Sequence, residues 1–123
     1  MLKKFLRKIF APAEEGLVPE KYFRVTIAPE SIQCDDPKGN SNVISREDLL
    51  RVVIQTNDSG PWGIDFWWIL EGSKAIVHVP QGATGEDELV DLLQALPDFN
   101  NEEMAKAMCC ATNAEFLCWQ KGA

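Results

Sequence analysis

The sequence predicts a single α+β domain in which an antiparallel sheet of about five to six short strands is followed by two C-terminal helices packed on one face. Three observations support this fold class. The chain has 123 residues, 46% of them hydrophobic, which is enough for one domain with its own core. Short stretches of alternating apolar and polar residues occupy positions 22–79, and apolar stripes at helical spacing follow them.

The first predicted strands are separated by residues that favour turns. Residues 22–28 alternate apolar and polar side chains, which is typical of a half-buried strand. Pro29 then starts a turn that reverses the chain. The same reasoning predicts strands at 32–35, 42–45 and 50–56, a turn at 35–40, and one helical turn starting at Ser45.

A β-hairpin is predicted from Ile64–Glu71 and Lys74–Val79, because the intervening Gly72 and Ser73 suit a tight primed turn. Side chains alternate between the two faces of a strand. In the first arm, Trp68 shares its face with apolar residues only. This face is therefore expected to belong to the core.

Three tryptophans outside this core face are candidates for a contact surface. Trp67 and Ile69 lie between two acids on the other face of the hairpin arm, which must lie beneath a helix or form an exposed patch. Trp62 follows Gly-Pro in a turn, and Trp119 is close to the C-terminus. Exposed aromatic side chains favour interfaces, so Trp62 and Trp67 are predicted interaction residues. The alternative is that the two helices cover Trp67 and that Trp119 closes the core.

The last third of the chain is predicted to be helical and then extended. Thr84 is expected to cap a first helix whose leucines form one stripe that ends before Pro97. Asn100 is expected to cap a second helix, with Glu103 reaching back toward the cap. Residues 116–119 alternate in a way that suggests a closing strand or an extended tail.

The first ten residues predict a basic amphipathic helix, and residues 11–21, with two prolines and a glycine, predict a linker to a single domain at 22–123. Burial of the apolar face of this helix is favourable. We therefore expect that face to pack against its own domain or a second copy, with an anionic membrane surface as the less favoured site. The apolar residues predicted to make this contact are Leu2, Phe5, Leu6 and Ile9.

A targeting signal is not predicted, although residues 11–13 resemble a signal-peptidase site. Basic residues interrupt every apolar stretch before this site, whereas a signal peptide needs about 7–15 apolar residues in a row. The longest apolar run in the sequence falls far short of the about 20 residues that a membrane span requires. These features predict a cytoplasmic location and free thiols.

The charge distribution is strongly asymmetric. The net charge is −7, but the first ten residues are basic, so the remaining 113 residues hold 8 basic and 19 acidic side chains, a net charge of −11. A body with this charge repels phosphate backbones, which argues against nucleic-acid binding. It complements basic protein surfaces, and Glu86 and Asp91, from an acidic run without Lys or Arg, are candidate contact residues. The alternative is an acidic surface that serves solubility.

Residues suited to catalysis or metal binding are sparse in this sequence. His78 is the sole histidine, and the strand pattern around it predicts a position at the solvent edge rather than a general base. The four cysteines lack metal-ligand spacing and are expected to be buried and unpaired. The familiar nucleophile and phosphate-binding motifs do not occur in the sequence. The sequence therefore predicts no enzyme, no cofactor and no metal.

Two functions of different classes follow from these patterns. The first is a non-catalytic module that binds a protein partner or a second copy of itself. The second is an acidic inhibitor, of the type of an immunity protein, that neutralises a basic partner. A small hydrolase is a remote third function, because the sequence lacks a nucleophile paired with a base.

Several segments resemble a group of small uncharacterised bacterial proteins. These segments are Thr56–Pro61, Asp65–Leu70, Pro80–Gly85, Leu96–Asn100, Ala107-Met108 and Phe116–Trp119. The resemblance covers residues 22–119 and implies no activity. The order of short strands and then a helix is also similar to that of pleckstrin-homology-like bacterial domains.

Overall fold

The computed structural model of the chain describes residues 22–58 and 65–122. Within these ranges, seven strands form two antiparallel sheets, and two α-helices lie between the sixth and seventh strands along the chain. The elements are β1 (Arg24–Ile27), β2 (Ser31–Asp35), β3 (Ser41–Ser45), a 3₁₀ turn (Arg46–Asp48), β4 (Leu49–Thr56), β5 (Phe66–Gly72), β6 (Ile76–Pro80), α1 (Glu86–Gln94), α2 (Asn101–Met108) and β7 (Ala114–Gln120).

The α+β class is confirmed, but the single sheet of five to six strands is wrong. Strands β1, β2 and β3 form a first sheet, and the second sheet has the order β6-β5-β4-β7. The helices are also not the C-terminal elements, because β7 follows them and pairs with β4. The first three strands separate because their own apolar faces need burial, which packing against the second sheet provides.

One hydrophobic core joins the two sheets and the two helices. Trp68, which is fully buried, faces this core as the alternation along β5 predicted. Its indole Nε1 donates a hydrogen bond of 2.8 Å to a carboxylate oxygen of Glu86, the first residue of α1. The largest fully buried side chains around it are Ile32, Ile44, Ile54, Leu70, Leu89, Leu93, Val52, Val77 and Val79.

The predicted hairpin forms, but its turn is displaced by one residue. The Gly72 N–H donates to the carbonyl of Ala75 at 2.8 Å, which leaves Ser73 and Lys74 at the centre of the turn. Neither central residue has a positive φ, so the primed turn is wrong. The carboxylate of Asp48 holds the turn by accepting hydrogen bonds from the Ser73 hydroxyl and the Lys74 N–H.

The two helix caps differ in how far they follow the predictions. Asn100 caps α2 as predicted, because its side chain accepts a hydrogen bond of 3.0 Å from the Glu103 N–H. The Glu103 carboxylate, however, pairs with Lys106 at 2.9 Å instead of reaching back. Thr84 does not cap α1: the cap is Gly85, with a φ of 93°. The backbone of Thr84 instead binds the chain at the start of the first sheet, where its carbonyl accepts from the Val25 N–H at 2.8 Å.

Strand β7 completes the second sheet and fastens the helices to it. A bulge in β7 lies opposite Val52 and Val53 of β4. Next to the bulge, Trp119 packs against the core and its Nε1 donates to the Pro97 carbonyl at 2.9 Å. The carbonyl of Cys118 accepts from the Asn100 N–H at 2.7 Å. The residue that caps α2 is therefore tied to the same strand that closes the sheet.

Candidate functional site

Trp67 lies on the face of the second sheet that the helices do not cover. Side chains alternate along β5, and Trp68 faces α1, so Trp67 points the opposite way. It is half-buried, with the Phe23 ring at 5.9 Å from its centroid in an edge-to-face arrangement. The centroid of the His78 ring lies 6.3 Å from that of Trp67. The alternative in which the two helices cover Trp67 is therefore wrong.

Trp67 forms part of an open groove where the two sheets meet, which we call the junction groove. The groove has a volume of about 460 Å³. It exists because β6 is the edge strand of the second sheet, and the inner face of the first sheet lies next to that edge. The lining residues are Phe23, Cys34, Asp36, Asn42, Trp67, Ile76 and His78.

The junction groove is lined by both apolar and polar side chains, and Phe23, Trp67 and Ile76 supply the apolar part. Ile76 is 55% exposed at the mouth of the groove. Trp67 and Phe23 line the same groove, with their rings in edge-to-face contact with each other. Apolar surface of this kind in a concave site favours a ligand that covers it.

Asp36 adds a negative charge to the rim of the groove. Hydrogen bonds from the backbone and side chain of Asn40 and from the backbone N–H of Lys38 hold the pKa of Asp36 below its usual value. The carboxylate is therefore ionised at neutral pH. A ligand that carries a cation next to an apolar group would complement the Asp36 carboxylate and the apolar side chains of the groove.

Cys34 lies at the floor of the junction groove and is a poor nucleophile there. Burial, followed by the nearby charges of Asp35 and Asp36, raises the pKa of the Cys34 thiol to about 11. The thiol thus stays protonated at neutral pH, and the thiolate is the reactive form. Among the described residues, no hydrogen bond joins His78 to this thiol.

The two acidic candidates from the sequence lie away from the junction groove. Glu86 is half-buried and accepts hydrogen bonds from Trp68 Nε1 at 2.8 Å and from the Gly82 N–H at 2.9 Å, so both its carboxylate oxygens stabilise the start of α1. Asp91 is exposed further along the same helix. The remaining predicted contact residues, Leu2, Phe5, Leu6, Ile9 and Trp62, lie outside the described residues.

The sequence did not predict most of the residues that line the groove. Phe23, Asn42 and Ile76 come from three separate parts of the chain, and only the packing of one sheet beside the other brings them together. One signal was available. Alternation along the predicted hairpin places Ile76 and His78 on the same face as Trp67.

Two of the four cysteines depart from the prediction that all are buried. Cys34 and Cys118 are buried, but Cys109 is exposed and Cys110 is half-buried. All four are free in the structure. Hydrogen bonding to Thr112, and then to the Thr56 hydroxyl, lowers the pKa of Cys110 below 9.0. The Cys110 sulfur lies 3.4 Å from the Thr112 hydroxyl oxygen.

Alkylation of Cys110 should therefore begin at lower pH than alkylation of an ordinary thiol. In a Cys109→Ser variant, iodoacetamide should modify Cys110 with a pH midpoint below 9.0, because the thiolate forms earlier when its pKa is lowered. A further Thr112→Val substitution should shift that midpoint upward. Rates measured by mass spectrometry from pH 6 to about pH 10 test this. An unchanged midpoint in the Thr112→Val variant would contradict the assigned cause.

Of the helices in residues 22–58 and 65–122, none is long and apolar enough to cross a membrane. Comparison of the chain with protein-family models, with curated proteins and with solved structures finds no match.

Proposed function

We propose that this chain is a non-catalytic, cytoplasmic protein-interaction module and that the junction groove is its contact site. The observation that carries the proposal is Ile76, which is 55% exposed in the same open groove that the half-buried Trp67 lines. Covering a large apolar side chain completely contributes about 1.5–3 kcal/mol. Contact energy in protein interfaces is also concentrated in aromatic anchors at the centre of such sites.

The chemistry of the groove indicates the kind of partner. Its walls accept an apolar side chain, and the ionised carboxylate of Asp36 on the rim attracts a cation. The chain as a whole has a net charge of −7, which favours encounter with a basic surface. The proposed partner is therefore a protein segment that presents a large apolar side chain next to Lys or Arg.

Affinity capture with a matched pair of variants tests this function. Ile76→Asp places a charge in the groove, whereas Val43→Asp places one on the outside of the first sheet, where Val43 is 48% exposed. Because both residues are exposed, both variants should fold. Proteins captured by the wild-type chain from its native cells should also be captured by Val43→Asp. With Ile76→Asp, their recovery should fall about tenfold or more. Equal recovery by the two variants would contradict the proposal.

The acidic inhibitor remains a second candidate, supported by the surface of α1. The first turn of this helix contains Glu86, Asp87 and Glu88, and its last turn contains no basic residue. If a basic partner binds this acidic helix, charge reversal by Asp87→Lys and Asp91→Lys should weaken capture more than Ile76→Asp does. Capture should also fall steeply as salt increases, because exposed charge pairs are screened.

A further inference from the structure

The face of the second sheet that carries Trp67 also contains a row of side chains that crosses all four strands. Strand register places His78 beside Ile69, Ile69 beside Val53, and Val53 beside Leu117. We call these four residues the cross-strand row. Its two central members are almost completely shielded, with Val53 3% exposed and Ile69 8% exposed.

The hydrophobic core lies on the opposite side of this sheet. The core contains the inner residues of the first sheet, of α1 and of α2, together with Trp68 and the other side chains on its face. Val53 and Ile69 are buried but are not part of this core as formed by residues 22–58 and 65–122. The core therefore does not account for the burial of Val53 and Ile69, and apolar side chains at the centre of a sheet face are stable in water only beneath a covering layer.

We propose that the cross-strand row is the docking surface for this chain's own first ten residues. Their apolar side chains Leu2, Phe5, Leu6 and Ile9 recur at helical spacing, and basic residues occupy the opposite face. Docking would cover the apolar face of this segment and Leu117, which is 42% exposed at one end of the row. This inference goes beyond the proposed function, although the row and the junction groove share His78.

The position at which the described chain begins favours this docking. Phe23 packs against Trp67, which lies on the same face of β5 as Ile69. The described chain therefore starts at the border of the docking surface. Residues 11–21 span up to about 36 Å when extended, whereas the row covers three strand spacings, about 14 Å. The linker reaches every part of the row, and the short tether gives a high effective concentration.

Length and charge favour the same occupant. A helix of ten residues is about 15 Å long, close to the length of the row. The surrounding face holds Glu71 and Glu115, with Arg51 paired to Glu71 at 3.5 Å. The first ten residues contain four basic side chains and no acid. The segment that most needs a covering surface thus also has the opposite charge to the body of the chain.

Disulfide trapping in the full-length chain tests the docking. Cys109 and Cys110 are first replaced by Ser, which leaves the two buried cysteines in place. Leu6→Cys is then combined with Leu117→Cys on the row, or with Val43→Cys on the outside of the first sheet. Leu117 is 42% exposed and Val43 48% exposed, so the two side chains are similarly open to solvent.

The proposal predicts that the intramolecular disulfide with Leu117→Cys forms about tenfold faster, or more, than the disulfide with Val43→Cys. Lys4→Cys, on the basic face of the segment, should lose this preference. Equal rates at the two positions would overturn the proposal, and so would disulfide-linked dimers that become dominant as protein concentration rises, which would indicate a second copy. Strong co-sedimentation of the full chain with anionic vesicles, abolished by deletion of residues 1–12, would identify a membrane as the occupant and would also overturn it.

Discussion

Replacement of Trp68 by Ala is expected to lower the free energy of unfolding by about 3–5 kcal/mol. Trp68 is fully buried at the centre of the core, so its removal leaves a cavity that the packed strands and helices cannot fill. The substitution also removes the hydrogen bond from Nε1 to Glu86, and with it the link between β5 and the start of α1. Equilibrium unfolding in urea, followed by circular dichroism, measures this loss.

Trp67→Ala provides the control for this prediction, because Trp67 is the adjacent residue on the other face of β5. It is half-buried and makes edge-to-face contacts with Phe23 and His78. Its replacement should therefore destabilise the fold clearly less than replacement of Trp68. Equal losses for the two variants would mean that Trp67 is an ordinary core residue, and the junction groove would then lose its main aromatic wall.

Gly85→Ala is expected to produce the second large loss of stability, about 2–5 kcal/mol in total. Gly85 has a φ of 93°, a backbone conformation that costs about 1–2 kcal/mol for a residue with a side chain. A Cβ at this position would also overlap the backbone carbonyl oxygen of Val25. This carbonyl has little freedom to move, because the Val25 N–H is bound to Thr84 at 2.8 Å.

Gly39→Ala separates these two causes. Gly39 has a similar φ of 98°, but a Cβ there would have no neighbouring atom within 4 Å among the described residues. Its replacement should cost only the conformational penalty. The difference between the two variants in urea unfolding then reports the steric conflict at Gly85, expected at about 1–3 kcal/mol. Identical losses would show that α1 does not pack against β1 as closely as the structure indicates.

Local features of the fold were predictable because their causes lie within a few residues. Alternation identified Trp68 as a core residue, and the side chain of Asn100 caps α2 through residues close to it in sequence. Local composition also predicted one helical turn starting at Ser45. In the structure, the Ser45 hydroxyl accepts a hydrogen bond from the Glu47 N–H at the start of a 3₁₀ turn. Predicting these elements requires no knowledge of the rest of the chain.

Errors arose where a distant contact overrides a local preference. Gly72 and Ser73 suit a primed turn, but Asp48 binds Ser73 and Lys74 and moves the turn by one residue. Gly72 is needed for a different reason, since a Cβ there would lie 2.8 Å from the Asp48 carbonyl oxygen. Thr84 has the composition of a helix cap, but its backbone is bound to the start of the first sheet.

The division into two sheets and the candidate site depend on long-range pairing, which the sequence pattern does not encode. Strand β7 pairs with β4 across the whole second half of the chain. The junction groove in turn requires β6 to be an edge strand beside the first sheet, which brings Phe23 and Ile76 together. Periodicity assigns a face to each residue, but it does not say which faces meet.

The most direct test of the interaction function is photo-crosslinking in the native cell with benzoylphenylalanine in place of Ile76. Because this side chain is exposed at the mouth of the junction groove, a partner seated there must lie against it. We predict one discrete adduct from position 76, absent when the same probe replaces Val43 and strongly reduced by the additional Trp67→Ala substitution. The absence of an adduct at position 76, or the same adducts from both positions, would contradict a protein-binding role for this groove.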